Sequence, residues 1–282
     1  MQCNADLQRT TGHGELVAQY SGAKTSVSRL SQTGAAKIRF PKQSTPTPLT
    51  GVLINTAGGM TGGDKFEWSI AARSQSSLSV STQACEKIYR AGDGYAEISI
   101  DLSVEADAHL HWLPQETILY DGSYLKRKLS LKLGENATAL IVESIIFGRR
   151  EFGETNPSAK LEDCWRVFSG TTLVHAEQIK IDTEKNHWLS QSATANGLTA
   201  FATILLVSPN SVEYSKPVNA LLQSLQNPKQ NFWGASSFWA VNDCDKLTIR
   251  MAAVDGYQLR KGLSAMIALL SNEDHPPTLW LT

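Results

Sequence analysis

Apolar and polar positions alternate with a period of two through most of the first 180 residues, and that period belongs to strands with one buried face. Three stretches show it best: Phe66 to Thr82, Ala96 to Gln115 and Lys128 to Glu143 each predict strand, short polar turn, strand. Their turns, Arg73-Ser74-Gln75-Ser76, Glu105-Ala106-Asp107-Ala108 and Gly134-Glu135-Asn136-Ala137, align at offsets of 32 and 29 residues. A unit of about thirty residues cannot bury its own apolar face, so repetition at this length predicts stacked units. The expected fold is mainly β, a stacked-strand, β-helical or solenoid-like single domain; a sandwich of regular hairpins is the competing arrangement. From Arg166 the strand pattern continues, with Val167, Leu173, Val174 and Ile179 as core candidates.

Two segments change period. Pro217 to Gln226 places Val218, Leu221, Leu222 and Leu225 on one helical face behind a first-turn proline. Gln258 to Leu270 does the same with Leu259, Leu263, Met266, Ile267 and Leu270, and Pro276 and Pro277 stop it. Two α-helices are therefore expected in the C-terminal third, followed by an apolar tail, Leu279-Trp280-Leu281, that packs back on the body. Pro41 to Pro48 reads as a loop, and no low-complexity linker divides the chain.

Composition removes several classes of function. The 282 residues carry 26 Lys+Arg and 27 Asp+Glu, a net charge of −1, with no block of like charges to meet nucleic acid or anionic lipid. No segment is apolar enough to span a bilayer, and no signal-peptide pattern opens the chain. Cys3, Cys85, Cys164 and Cys244 are far apart and fit reduced thiols rather than a zinc site. The expectation is a cytoplasmic protein.

Each chemical candidate stands beside a structural alternative. Gly58-Gly59-Met60-Thr61-Gly62-Gly63-Asp64 is rich in glycine, but it lacks the Lys-[Ser/Thr] ending of a phosphate loop and a strand pattern follows it. It predicts a tight turn with positive φ and close backbone approach, with Asp64 at its mouth. His109 and His111, two apart on a strand, share a face and could chelate a metal together, though no third ligand lies nearby in sequence. Cys85 has no histidine placed as its base. Glu143 interrupts the apolar run Ala139 to Phe147, and Glu177 ends a similar one. Such carboxylates either face water or are buried where a partner or cation holds their charge. Oxygen ligands of this kind suit transient hold of a divalent cation.

Four blocks, in order, resemble the UreD (UreH) family of urease accessory proteins: Leu53 to Asp64; Thr82 with Lys87-Ile88-Tyr89-Arg90; Trp112 to Ile118 with Asp121-Gly122; and Gly148-Arg149 with Gly153-Glu154. The resemblance implies a β-rich body of stacked strands with two helices. It also implies a non-enzymatic scaffold that binds apo-urease and, with UreF and the GTPase UreG, supports nickel delivery into urease, with no tightly bound cofactor. The family's interior tunnel carries over to Asp64, Glu143 and Glu177 as transient nickel contacts. Gly58, Gly59, Gly62, Gly63, Lys87, Tyr89, Arg90, Gln115, Glu116 and Arg149 carry over as partner-contact or structural positions. Two departures stand out: Glu86 replaces a small polar residue, and the family does not usually pair histidines at positions 109 and 111. Residues 1–13 match no block and are expected to form a flexible tail, leaving 14–282 as one β-rich domain. The competing function is a β-solenoid carbohydrate-active enzyme with Glu116 and Asp121 in a groove.

Overall fold

The computed structural model describes residues 8–42, 48–155, 157–185, 188–226, 232–241, 244–272 and 278–280. The three predicted repeat units become consecutive coils. Strand β5 (Lys65–Ala72) turns into β6 (Ser77–Thr82), β8 (Ala96–Val104) into β9 (His109–Leu113), and β11 (Ser123–Leu133) into β12 (Thr138–Phe147). Adjacent coils pair in parallel with register offsets of 32 (Lys65↔Glu97, Ser77↔His109) and 29 (Ala96↔Leu125, His109↔Thr138). These are the offsets of the turns in the sequence.

The turns explain why the offsets are fixed. Gln75, Asp107 and Asn136 take the same left-handed conformation (φ 63°, 56° and 53°) at the third turn position. The turns then stack: Gln75 N–H donates to the Ala106 carbonyl at 3.1 Å, and Asp107 N–H to that of Glu135 at 3.0 Å. Asp and Asn tolerate this conformation because their short polar side chains bond locally.

Two sheets face each other. One runs β14 (Thr172–Asp182), β13 (Ala159–Ser169), β11, β8, β5, β1 (Thr11–Ser21), β2 (Lys24–Gly34). The other runs β16 (Phe232–Val241), β17 (Cys244–Ala253), β15 (Ala200–Val207), β12, β9, β6, β4 (Leu49–Asn55), β3 (Ala36–Arg39), with short β7 (Glu86–Ile88) and β10 (Thr117–Leu119) paired beside it. Parallel stacking puts like on like inside. Trp68, Ile100, Leu129 and Trp165 form one buried row, and Ile70, Leu102, Leu131 and Val167 the next. Each such side chain contributes about 1.5–3 kcal/mol of transfer free energy.

The predicted helices appear as α1 (Ser215–Leu225) and α2 (Gly256–Ser271). The α2 stripe, Leu259, Leu263, Met266, Ile267 and Leu270, is buried as expected, and Asp255 caps the helix by accepting from Gln258 N–H at 2.9 Å. Both helices pack with the far faces of β12, β15 and β17 in a second core. Trp280 joins it, donating Nε1–H to the Leu113 carbonyl at 3.0 Å. Leu281, Pro276 and Pro277 lie outside the described residues, as does 43–47 of the expected loop.

Two expectations change. Residues 11–13, placed in the tail, belong to β1; the Thr10 carbonyl accepts from Lys65 N–H at 3.0 Å and that of Thr11 from Ala35 N–H at 2.9 Å. Glycines at 12 and 14 hide the apolar alternation there, whereas residues 1–7 lie outside the described residues. Leu173 is 46% exposed, because the β13/β14 register slips between Val167 and Phe168 and turns it outward; Val167 and Val174 are buried and Ile179 partly so.

Candidate functional site

Period-two alternation places Arg127, between Leu125 and Leu129, and Asp163, between Leu161 and Trp165, on the inward faces of β11 and β13. They are register partners. Arg127 grips Asp163 with two hydrogen bonds, Nε to Oδ1 at 3.2 Å and Nη2 to Oδ2 at 2.6 Å, and gives Nη1–H to Glu143 on the opposite sheet. Trp112 Nε1–H donates to Glu143 at 2.8 Å and Trp165 Nε1–H to Asp163 at 3.1 Å. Arg127, Glu143 and Asp163 are each at most 5% exposed. Burial, and then the Asp163 carboxylate, push the Glu143 carboxyl above its ordinary range against the pull of Arg127.

From Glu143 the polar groups continue across the second sheet. Glu143, Thr203 and Arg250 are successive register partners on β12, β15 and β17. Arg250 donates Nη1–H to Thr203 Oγ1 at 3.1 Å and reaches Glu177 on β14 with Nη2 at 2.7 Å. A cavity of about 760 Å³ lies along this row, lined by Arg127, Glu143, Asp163, Thr203 and Arg250 among apolar residues such as Phe147 and Phe201. Three carboxylates face two guanidinium groups, so the row carries an excess of acid.

Of the three acids expected to meet nickel, the structure thus joins two: Glu143 on the cavity wall and Glu177 behind Arg250. Asp64 does something else. Its carboxylate accepts Thr10 N–H at 2.7 Å and Thr61 N–H at 2.8 Å, tying the glycine-rich turn to the N-terminal strand. Sequence reasoning missed Arg127, Asp163, Thr203 and Arg250. The inward alternation of Arg127 and Asp163 was the available signal.

The glycine-rich turn and the Lys87 to Arg90 block form one stacked surface. Gly59 has φ 149°, and a Cβ there would strike the Tyr89 ring; one at Gly62 would strike the Asp93 carbonyl oxygen. Met60 N–H donates to the Lys87 carbonyl at 2.8 Å and Tyr89 N–H to that of Met60 at 2.7 Å. Gly63 takes φ 89°, as the predicted turn requires. One coil further, Tyr120 meets Tyr89 edge-on at 5.1 Å, Arg149 lies 4.0 Å over the Tyr120 ring, and Asp121 pairs with Arg90. Arg149 also pairs with Glu154, and Phe152 beside it is 77% exposed. Gly62→Ala is expected to cost about 1–3 kcal/mol by forcing backbone apart; a thermal melt reads it, and an unchanged midpoint contradicts the packing described.

Gln115 and Glu116 are interior. Arg260 on α2 donates to Glu116 Oε1 at 3.0 Å, to Oε2 at 2.5 Å and to Gln115 Oε1 at 2.8 Å, while Gln115 Nε2–H reaches the Thr82 and Gln83 carbonyls at 3.1 Å. The block docks α2 onto the coils: Glu116 is 1% exposed and held by Arg260, and Asp121, the other acid of the competing enzyme reading, is engaged by Arg90. Cys85 lies 3.4 Å from Glu116; burial and then that carboxylate push its thiol up to about 11, so it is no activated nucleophile.

Glu86, the departure from the family pattern, accepts from Asn55 Nδ2–H at 3.1 Å and Lys87 N–H at 3.2 Å, and burial lifts its carboxyl from 4.5 to about 7. The folded state keeps this proton up to about pH 7, whereas the unfolded chain releases it near 4.5. Stability therefore falls as pH rises through that window. Glu86→Gln is expected to remove the slope and to stabilise the protein at pH 8 by up to about 3 kcal/mol, as urea unfolding at pH 5 and 8 would register; an unaltered slope contradicts it.

His109 and His111 share the outward face of β9 as expected, His109 exposed and His111 half-buried. Burial and then His109 push His111 down to about 4, so it is neutral at physiological pH. Among the described residues no three His, Cys, Asp or Glu side chains gather as metal ligands, and no helix is long and apolar enough to cross a membrane.

Comparison with known proteins follows the four blocks. Residues 10–281 match the family profile described as UreD urease accessory protein. The chain is 40% identical over 274 residues to urease accessory protein UreD 1 of Brucella abortus, covering 97% of this chain and 95% of the relative. It is 39% identical over 273 residues to the UreD proteins of Rhizobium etli and Mesorhizobium japonicum, covering 97% of this chain and 96% and 94% of theirs. The four sequence blocks and these matches over nearly the whole chain place it in the UreD family of urease accessory proteins.

Proposed function

We propose that this chain is a non-catalytic scaffold of urease maturation, acting in the cytoplasm. It contacts apo-urease and UreF, works with the GTPase UreG, and lets nickel, its cargo, pass through its interior. Membership of the family supports the accessory role. The observation that carries nickel passage is the polar row from Asp163 and Arg127 through Glu143, Thr203 and Arg250 to Glu177 along the cavity. Carboxylate oxygens bind a borderline divalent ion less tightly than clustered thiolates and imidazoles, so the ion can move on. Glu143 and Glu177 are the contacts in this reading, and Asp64 supports the adjoining turn.

The partner-facing surface in this reading is the ladder of Gly58, Gly59, Tyr89, Arg90 and Arg149 with exposed Phe152, because it combines aromatic and arginine side chains. Affinity capture of the tagged chain from cells expressing urease and the accessory genes tests it. Wild type should retain urease and UreF, and Tyr89→Ala with Phe152→Asp should lose at least one of them. Capture of neither by wild type would overturn the scaffold.

A further inference from the structure

Beside the cavity row, β14 carries His175 two residues before Glu177; the preceding reading uses the second and not the first. His175 and Glu177, two apart on β14, both point toward the second sheet, with side chains 10% and 7% exposed. His175 Nε2 lies 3.6 Å from Glu177 Oε2, the oxygen that Arg250 holds. Nε2 of His175 and Oε1 of Glu177 have no hydrogen-bond partner, and neither does Thr248 Oγ1. Thr248 belongs to the same place. On β17 it lies between Arg250, which reaches Glu177, and Lys246, whose Nζ donates to the Val174 carbonyl, so this part of β17 faces the stretch of β14 that holds His175. A buried polar atom without a hydrogen-bond partner is costly unless a ligand meets it.

We propose that His175 Nε2 and Glu177 Oε1 form a two-point station for a divalent cation of the nickel class, with the Thr248 hydroxyl beside it. A neutral imidazole nitrogen and a carboxylate oxygen are both ligands for such an ion. Alternation on β14 puts them on one face, and the Glu177 oxygen not held by Arg250 is the one without a hydrogen-bond partner. Two protein ligands, with water completing the shell and the cations of Arg250 and Lys246 nearby, make a station that holds weakly and releases. The proposal rests on the nickel-passage reading for its cargo, but binding itself can be measured without urease.

The test is titration of the purified full-length chain with nickel chloride by calorimetry, together with X-ray absorption at the nickel edge. Wild type should bind one nickel with an imidazole in its shell. His175→Gln, which keeps a polar group of similar size, should weaken that binding at least tenfold and remove the imidazole signature with an unchanged thermal midpoint. A variant with both His109→Gln and His111→Gln should bind as wild type does. Equal affinity in His175→Gln, or no imidazole around nickel in wild type, overturns the station. Loss of binding in His175→Gln with full urease activation would keep the station and reject nickel passage, so the two failures are distinguishable.

Discussion

Arg127→Leu is expected to destabilise the protein by about 3–5 kcal/mol, because it leaves Glu143 and Asp163 buried together without their common cation. Each carboxylate keeps only its tryptophan N–H, and two like charges in a dry interior raise each other's cost. Glu143→Gln should behave very differently. It leaves Arg127 bound to Asp163 through two hydrogen bonds and removes the surplus acid, so its cost should stay below about 1 kcal/mol. Guanidinium unfolding of both variants compares them. Similar stabilities would contradict the one-cation, two-acid arrangement.

The second large effect concerns function. Because Glu143→Gln and Glu177→Gln keep shape while removing charge, their combination should reduce urease activation in cells by about tenfold or more, the equivalent of roughly 1.4 kcal/mol, while capture of urease and UreF persists. Asp64→Ala should differ: releasing the Thr10 and Thr61 amides loosens the turn, so stability and capture fall together. A double glutamine variant that activates urease as wild type does would remove the two acids from nickel passage.

The coils were legible because solenoid stacking repeats its chemistry along the chain. Gln75, Asp107 and Asn136 occupy one turn position at the offsets that the strand registers then adopt. The α2 stripe was legible for the same reason, being a local period. The cavity row was only half legible. Glu143 interrupts an apolar run and Glu177 ends one, so both announce themselves, but their partners lie on other coils, and nothing local sets Arg127 against Glu143 or Arg250 against Glu177. The contact blocks show the reverse. Gln115 and Glu116 look like surface recognition residues in sequence, yet Arg260, 144 positions from Glu116, turns them into an internal joint. Arg260→Ala would leave Glu116 buried at 1% exposure without that ion pair and should loosen α2, a change that hydrogen exchange over residues 256–271 would detect. Unaltered exchange there would mean that apolar packing alone holds the helix.

The most direct test of the central claim is the nickel content of urease purified from cells that carry the urease genes and the other accessory genes, with and without this chain. Urease made with the chain should be active and nickel-loaded, and urease made without it should be largely apo under limiting nickel. Equal nickel loading in both preparations of its own cognate urease would contradict the account.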